Sequence, residues 1–333
     1  MTFAGSKVFH AVAGLILAIL GLPLWLGCAT AQDQYPSRQI TLLVPYPAGG
    51  FIDVTARVLA EGLREKLHQS VVVMNKPGAN GKVALGELVR SAADGYTLLV
   101  NNDGGIGIPP AVDGQFRFDY QKDYTPVAQF ADGKYLLTVR GTLPVKTTAE
   151  LIAYAKSNPG KVTFGSPGIA TSPHMAMEIL MRRTGTKMVH VPYLGAAPAT
   201  TDLLKGVIDV LVNSMPAVRG YIGSDSVRIL AVFDEKRHPL IPNVPTLKES
   251  GVASIPVGGW VGVFGPADMP KPVLQTLNTA IKSVLDDPTN AKRLTDVGAD
   301  ASFKGIEEFP AFYRSEVEKW KKFSDETGVK LAK

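Results

Sequence analysis

The sequence predicts an α/β protein built as two units around a cleft. Short apolar runs of strand length alternate with longer stretches whose apolar residues recur at helical spacing. That alternation runs up to about residue 100 and restarts near residue 136. No flexible linker, low-complexity tract or short repeat separates the two runs, so the units pack together and the chain crosses between them more than once.

The elements follow in order. Residues 39–44 read as a strand, and Ile52, Ala56, Leu59, Leu63 and Leu67 share one face of a helix over 52–67. Strands at 71–74 and 96–100 flank a helix at 81–92. This β-α-β-α-β order implies a parallel sheet with helices on both faces. In the second run, strands are expected at 136–139, 162–164, 189–191, 210–212 and 229–232. Helices are expected at 149–157, 173–184 and 198–205. A strand at 261–264 and three helices, near 271–286, 288–297 and 306–326, complete the chain.

Residues 1–31 read as an export signal. Lys7 supplies the positive start, an apolar run extends from Val8 to Leu26, and Ala29-Thr30-Ala31 is a small-x-small cleavage site. An uncleaved membrane anchor and a lipoprotein modified at Cys28 are the alternatives. Cleavage after Ala31 leaves roughly 300 residues, suited to two domains of about 150. It also removes the single cysteine, so stability must come from burial without disulfides. The 35 Lys and Arg against 30 Asp and Glu give a formal charge of +5, spread along the chain. No basic run interleaved with aromatics points to nucleic acid.

Three strand-to-helix turns stand out chemically. The first is Pro45-Tyr46-Pro47-Ala48-Gly49-Gly50, which leads into a helix beginning near Phe51. It is neither a Walker loop nor a dinucleotide fingerprint. Its glycines free backbone amides beside a helix N-terminus, where anions are favoured, although an ordinary tight turn has the same appearance. Asp53 suits the helix dipole there, and could alternatively accept a hydrogen bond from a ligand. The second turn carries Ser166, Gly168, Thr171, Ser172, Pro173 and His174, an excess of small and hydroxylated residues over what a cap requires. His174 could face an anion or simply pack or cap. The third turn, His190-Val191-Pro192-Tyr193-Leu194-Gly195-Ala196, is weak alone. Together the three turns could hold a ligand with anionic groups between the units.

Catalysis finds little support. No two of His68, His174, His190 and His238 have metal-ligand spacing, and there is no Gly-x-Ser-x-Gly elbow. No catalytic residue, metal or cofactor is expected.

The chain resembles the extracytoplasmic solute receptors of tripartite tricarboxylate transporters, the Bug family. The resemblance is carried by residues 35–40, by 45–50 with Asp53 and Arg57, and by 75–81, 94–98, 190–195 and 244–251, followed by Trp260 and 265–270. It implies a two-lobed type II periplasmic-binding-protein-like fold with an interdomain ligand cleft, the first lobe from 32–130 and 233–333, the second from 131–232. It further implies a periplasmic monomer that takes a small carboxylated solute, gripped by amides, hydroxyls and bridging waters, to membrane permease subunits. Signalling to a membrane kinase is the alternative, and a secreted hydrolase or lyase a remote one. By position, the resemblance assigns Tyr46, Ala48, Gly49, Gly50 and Asp53 to the first binding loop. It assigns Ser166, Gly168, Thr171, Ser172 and His174 to the second, and Gly195 and Ala196 to the third. Phe51 and the segment 101–110, beginning at Asn101, depart from the family pattern where a ligand would be chosen. With Tyr46, Phe51 motivates the expectation of a bulkier or aromatic carboxylate.

Overall fold

The computed structural model describes residues 35–255, 257 and 259–327. The expected leader, its cleavage site and Cys28 lie outside them. The chain opens with β1 (Ile40–Val44), α1 (Phe51–Leu67), β2 (Val71–Asn75), α2 (Lys82–Arg90) and β3 (Thr97–Asn102). β1 pairs in parallel with both β2 and β3, which places Leu42 opposite Val73 on one side and Leu98 on the other. A π-helical turn, Asp103–Gly107, follows β3. Strands β4 (Tyr124–Gly133) and β5 (Tyr135–Arg140) are separated by Lys134 alone. Next come α3 (Thr148–Ser157), β6 (Thr163–Ser166), α4 (Ser172–Thr184), β7 (Val189–Pro192), α5 (Ala196–Leu204), β8 (Val210–Ser214) and β9 (Val227–Phe233). The last elements are β10 (Trp260–Pro266), α6 (Lys271–Leu285), α7 (Pro288–Asp296), β11 (Ala299–Lys304) and α8 (Phe309–Thr327).

These strands form two sheets. The first has the order β11-β4-β10-β3-β1-β2 and the second β7-β6-β8-β5-β9. The three strands of the β-α-β-α-β run are parallel as their order implies, but neither sheet is parallel throughout. β10 returns to the first sheet after the chain has built the second, and it inserts antiparallel between β3 and β4. β11 then pairs antiparallel with β4. In the second sheet β5 runs antiparallel to both β8 and β9, while β6 lies parallel to β7 and β8. β4 and β11 have no counterpart in the sequence reading. β4 carries Pro126, tolerated because the register against β10 shifts beside it.

The α1 face forms as its spacing predicts. Ile52, Ala56, Leu59 and Leu63 are buried on the first sheet with Leu42, Val44, Leu98 and Val100. Each such leucine contributes about 1.5–3 kcal/mol through burial. Beyond β9 the chain stays on the second sheet, where Leu247, Val252, Ile255 and Val257 join its core with Leu137, Phe164 and Val212. Helix α8 touches both: Phe309, Tyr313 and Val317 pack around Trp260 of the first sheet, and Trp320 enters the second core. Two strands of chain therefore pass between the sheets, one at Gly133 and one at Gly259, and the Gly133 amide donates to the Gly259 carbonyl at 2.9 Å. A Cβ on Gly259 would collide with the Gly133 backbone, and one on Gly133 would collide with the Phe51 ring.

Candidate functional site

A cavity of about 70 Å3 lies where the carboxyl ends of strands from both sheets meet, the usual ligand position in open α/β sheets. A water needs about 10–15 Å3 by the same measure. The space suits a small solute.

The first-sheet wall is the β1–α1 loop, with Tyr46, Pro47, Ala48, Gly50, Phe51 and Ile52 on the cavity. Gly50 is the N-cap of α1 and no side chain caps its first turn. The opposite wall is the N-terminus of α5, through Gly195, Ala196 and Ala197, also without a side-chain cap. First-turn amides have no partner within their own helix, so two helix N-termini face one cavity from opposite sheets. Gly195 holds φ +136° and lies against Pro47, where a Cβ would come within 3.3 Å of the proline ring. The remaining lining comes from Asn102, Tyr135, Pro167, Thr171, Pro173 and Ser214. None of the lining residues is charged.

The other polar residues singled out by sequence hold the loops in shape. Asp53 is buried, with its carboxylate accepting from the Gly49 amide at 2.8 Å, from Arg57 Nε at 3.0 Å and from Asn75 Nδ2 at 2.9 Å. Burial would raise this carboxyl, but the hydrogen bonds from Arg57, Gly49 and Asn75 outweigh it and hold the group below its ordinary value. Asn75 Nδ2 also donates to the Tyr46 carbonyl at 3.0 Å. Asp53 thus braces the loop from behind, with its acceptors occupied, and Gly49 is off the cavity as its donor.

Ser166 is likewise fully buried. Its Oγ donates to the Gly168 carbonyl at 2.9 Å and lies 2.7 Å from His190 Nε2. Thr171 Oγ1 donates to the same Gly168 carbonyl at 2.7 Å while its residue lines the cavity. His174 Nδ1 accepts from the Ala170 amide at 3.2 Å, which leaves the ring proton on Nε2. The His174 and His190 rings stack at 4.1 Å, and Phe164 stacks on His190 at 4.8 Å. Burial and the neighbouring His190 lower His174 to about 3, and burial lowers His190 to about 4. Both are neutral at pH 7, so neither supplies a cation to the cavity. Ser172 Oγ donates to Asp103 Oδ1 at 2.6 Å.

Asn101 does not line the cavity, and its Oδ1 accepts from the Asn102 amide. Side chains alternate along β3, so Asn102 faces the site instead. Tyr46 donates to Asn102 Oδ1 at 3.3 Å, and Asn102 Nδ2 donates to the Tyr135 hydroxyl at 3.4 Å. Burial, with Asp103 nearby, holds the Tyr46 phenol above its ordinary value, so it remains a neutral hydroxyl. Asn102 falls within the 101–110 segment flagged by sequence, whereas Tyr135 and Ser214 line the cavity without having been singled out. The available signal was their place at strand ends: Asn102 and Ser214 close β3 and β8, and Tyr135 opens the antiparallel β5.

Residues 55–329 match the family model described as the tripartite tricarboxylate transporter family receptor. The chain belongs to that family. Protein BugT of Bordetella pertussis is 32% identical over 326 residues, spanning 96% of this chain and 98% of BugT. Among solved structures, an R. palustris protein with adipate is 31% identical with a TM-score of 0.84, covering 88% of this chain and 98% of that one. MatC from Rhodopseudomonas palustris with bound malate is 28% identical with a TM-score of 0.80, covering 86% of this chain and 99% of MatC. The two-sheet architecture around a cleft is that of the periplasmic binding proteins, and this receptor is a solute-binding protein of the same kind. Among the described residues no helix is long and apolar enough to cross a membrane, and no cluster of three metal-ligating side chains occurs.

Proposed function

We propose that this receptor is exported to the periplasm, captures a small carboxylated solute between its two lobes and delivers it to membrane permease subunits of a tripartite tricarboxylate-type transporter. One observation carries the reading: two uncapped helix N-termini, from α1 and α5, meet across a cavity with no charged lining. Such ends attract anions, each contributing at most about 2 kcal/mol. Micromolar binding needs about 8 kcal/mol, so hydrogen bonds to the carboxylate, each about 1.5–3 kcal/mol, must supply most of it. The adipate and malate in the R. palustris structures support the ligand class. The body of the solute would rest on Tyr46, Phe51, Ile52 and Tyr135, which favours a carboxylate with an apolar or aromatic part. The lobes would be residues 35–133 with 260–308, and residues 134–255 with 257, because Ile241, Leu247, Val252, Ile255 and Val257 pack on the second sheet. Capture without chemistry fits the burial of Ser166, whose hydroxyl has no access to solute.

Mass spectrometry of small molecules released from the denatured mature protein tests this directly. A screen of carboxylates by thermal shift complements it, since a ligand at 100 times its dissociation constant adds about 2.7 kcal/mol. A carboxylate is expected in the released fraction. A panel in which no mono- or dicarboxylate stabilises the receptor would overturn the reading. In titration calorimetry, tight binding of a C4 dicarboxylate with no heat from benzoate would sink the apolar-body part alone.

A further inference from the structure

Asp103 is a carboxylate buried where the two sheets meet, and the site described above does not use it. It sits at the start of the π-helical turn that follows β3, with no exposed surface. Its Oδ1 accepts from Ser172 Oγ at 2.6 Å and from the Gly104 amide at 2.9 Å. Oδ2 has no hydrogen-bond partner. Ser172 begins α4, which belongs to the second sheet, so this bond joins the two halves of the molecule. The backbones meet closely here: a Cβ on Gly104 would lie 3.0 Å from the Ser172 amide nitrogen. The contact lies one layer behind the cavity, since Thr171 and Pro173 on either side of Ser172, and Asn102 beside Asp103, are all lining residues.

We propose that Asp103 and Ser172 form a latch between the lobes, as positioning residues that hold the cleft closed without touching the solute. Burial pushes the Asp103 carboxyl up to about 8, so at neutral pH it is an uncharged acid that accepts through Oδ1. The charged groups near it are Glu316 and Lys319 of α8, which pair with each other at 2.6 Å, and the phenols of Tyr46 and Tyr135 face it from the other elements. An amide copies this neutral acceptor, whereas a methyl group does not. Asn is therefore the conservative replacement and Ala the disabling one.

The test reads the ratio of closed to open receptor by single-molecule energy transfer, without solute. Dyes are placed on Glu65→Cys and Lys156→Cys, both exposed and on different sheets, in a chain whose single cysteine is removed by Cys28→Ser. D103A and S172A are each expected to move the ratio about 2- to 12-fold toward open, the range of one ordinary hydrogen bond. The double variant should move it no further, and D103N should retain most of the closed population. Wild-type ratios in both D103A and S172A, additive shifts in the double variant, or D103N as open as D103A would each overturn the latch. If D103A fails to fold, S172A and D103N decide the matter. The inference rests on the clamp reading for its consequence only: with solute absent from the measurement, a failure of carboxylate binding leaves this result independent.

Discussion

Replacing Asp53 by Ala removes at once the acceptor used by Gly49, Arg57 and Asn75. The Arg57 side chain is half exposed, so water replaces its share, worth about 0.5 kcal/mol as for a surface pair. The bonds from the Gly49 amide and Asn75 are charge-assisted and made to a buried group, each worth about 1.5–3 kcal/mol. With partial relaxation, a loss of about 3 kcal/mol is expected. For a chain of this size that lowers the melting temperature by about 5 °C. The sign with pH follows from the depressed folded-state pKa: the stabilisation is present above the ordinary carboxylate range and is lost as pH falls through the lower folded value. Because the same bonds fix the loop that carries the α1 amides, ligand affinity should fall together with stability. Scanning calorimetry and titration with the carboxylate found by mass spectrometry provide the two readouts. D53N, which keeps one acceptor for Gly49, should recover part of both. An Asp53→Ala protein of wild-type stability that has lost only affinity would refute the bracing role and make Asp53 a ligand contact.

Gly195→Ala places a Cβ at φ +136°, 3.3 Å from the Pro47 ring, so the closed cleft is strained and affinity should drop at least about tenfold, read by calorimetry, with little change in fold by circular dichroism. The neutral His174–His190 stack should make the receptor acid-sensitive. An unfolded histidine binds a proton below about pH 6.5, whereas these bind one only near 3 and 4, so stability falls as pH drops from 6.5 toward 4. Halved for partial exposure, the loss by pH 5 is about 2 kcal/mol, and His190→Gln should flatten the slope of melting temperature against pH.

How much of this the sequence disclosed depends on where the determining contacts lie. β1, α1 and β3 are written locally, as branched apolar runs between glycine-rich turns. β4 is not, because Pro126, three alanine and glycine positions and Asp132 read as loop until β10 and β11 bracket them from far along the chain. The same non-local insertion of β10 hid the mixed polarity of the first sheet. At the site, the loops could be located because strand-to-helix turns with glycine leave amides free. Which polar side chains line the cavity could not, since Asp53, Ser166, Ser172 and His174 have the composition of ligand contacts but are held in hydrogen bonds off the cavity. Only the β alternation separates Asn102 from Asn101, and only the meeting of the two sheets brings Tyr135 and Ser214 to the same cavity as Phe51.

The uncharged lining has a consequence for how such a receptor diversifies. Where an arginine recognises an anion, one codon change abolishes recognition. On the proposed reading, the groups offered to a negative charge are peptide amides at the starts of α1 and α5, which every residue except proline possesses. Drift at Phe51, Ala196 or Ala197 therefore reshapes the chamber while leaving its appetite for anions intact. A lineage built this way can trial new solutes one side chain at a time, with charge recognition inherited from the backbone and selectivity left open to revision.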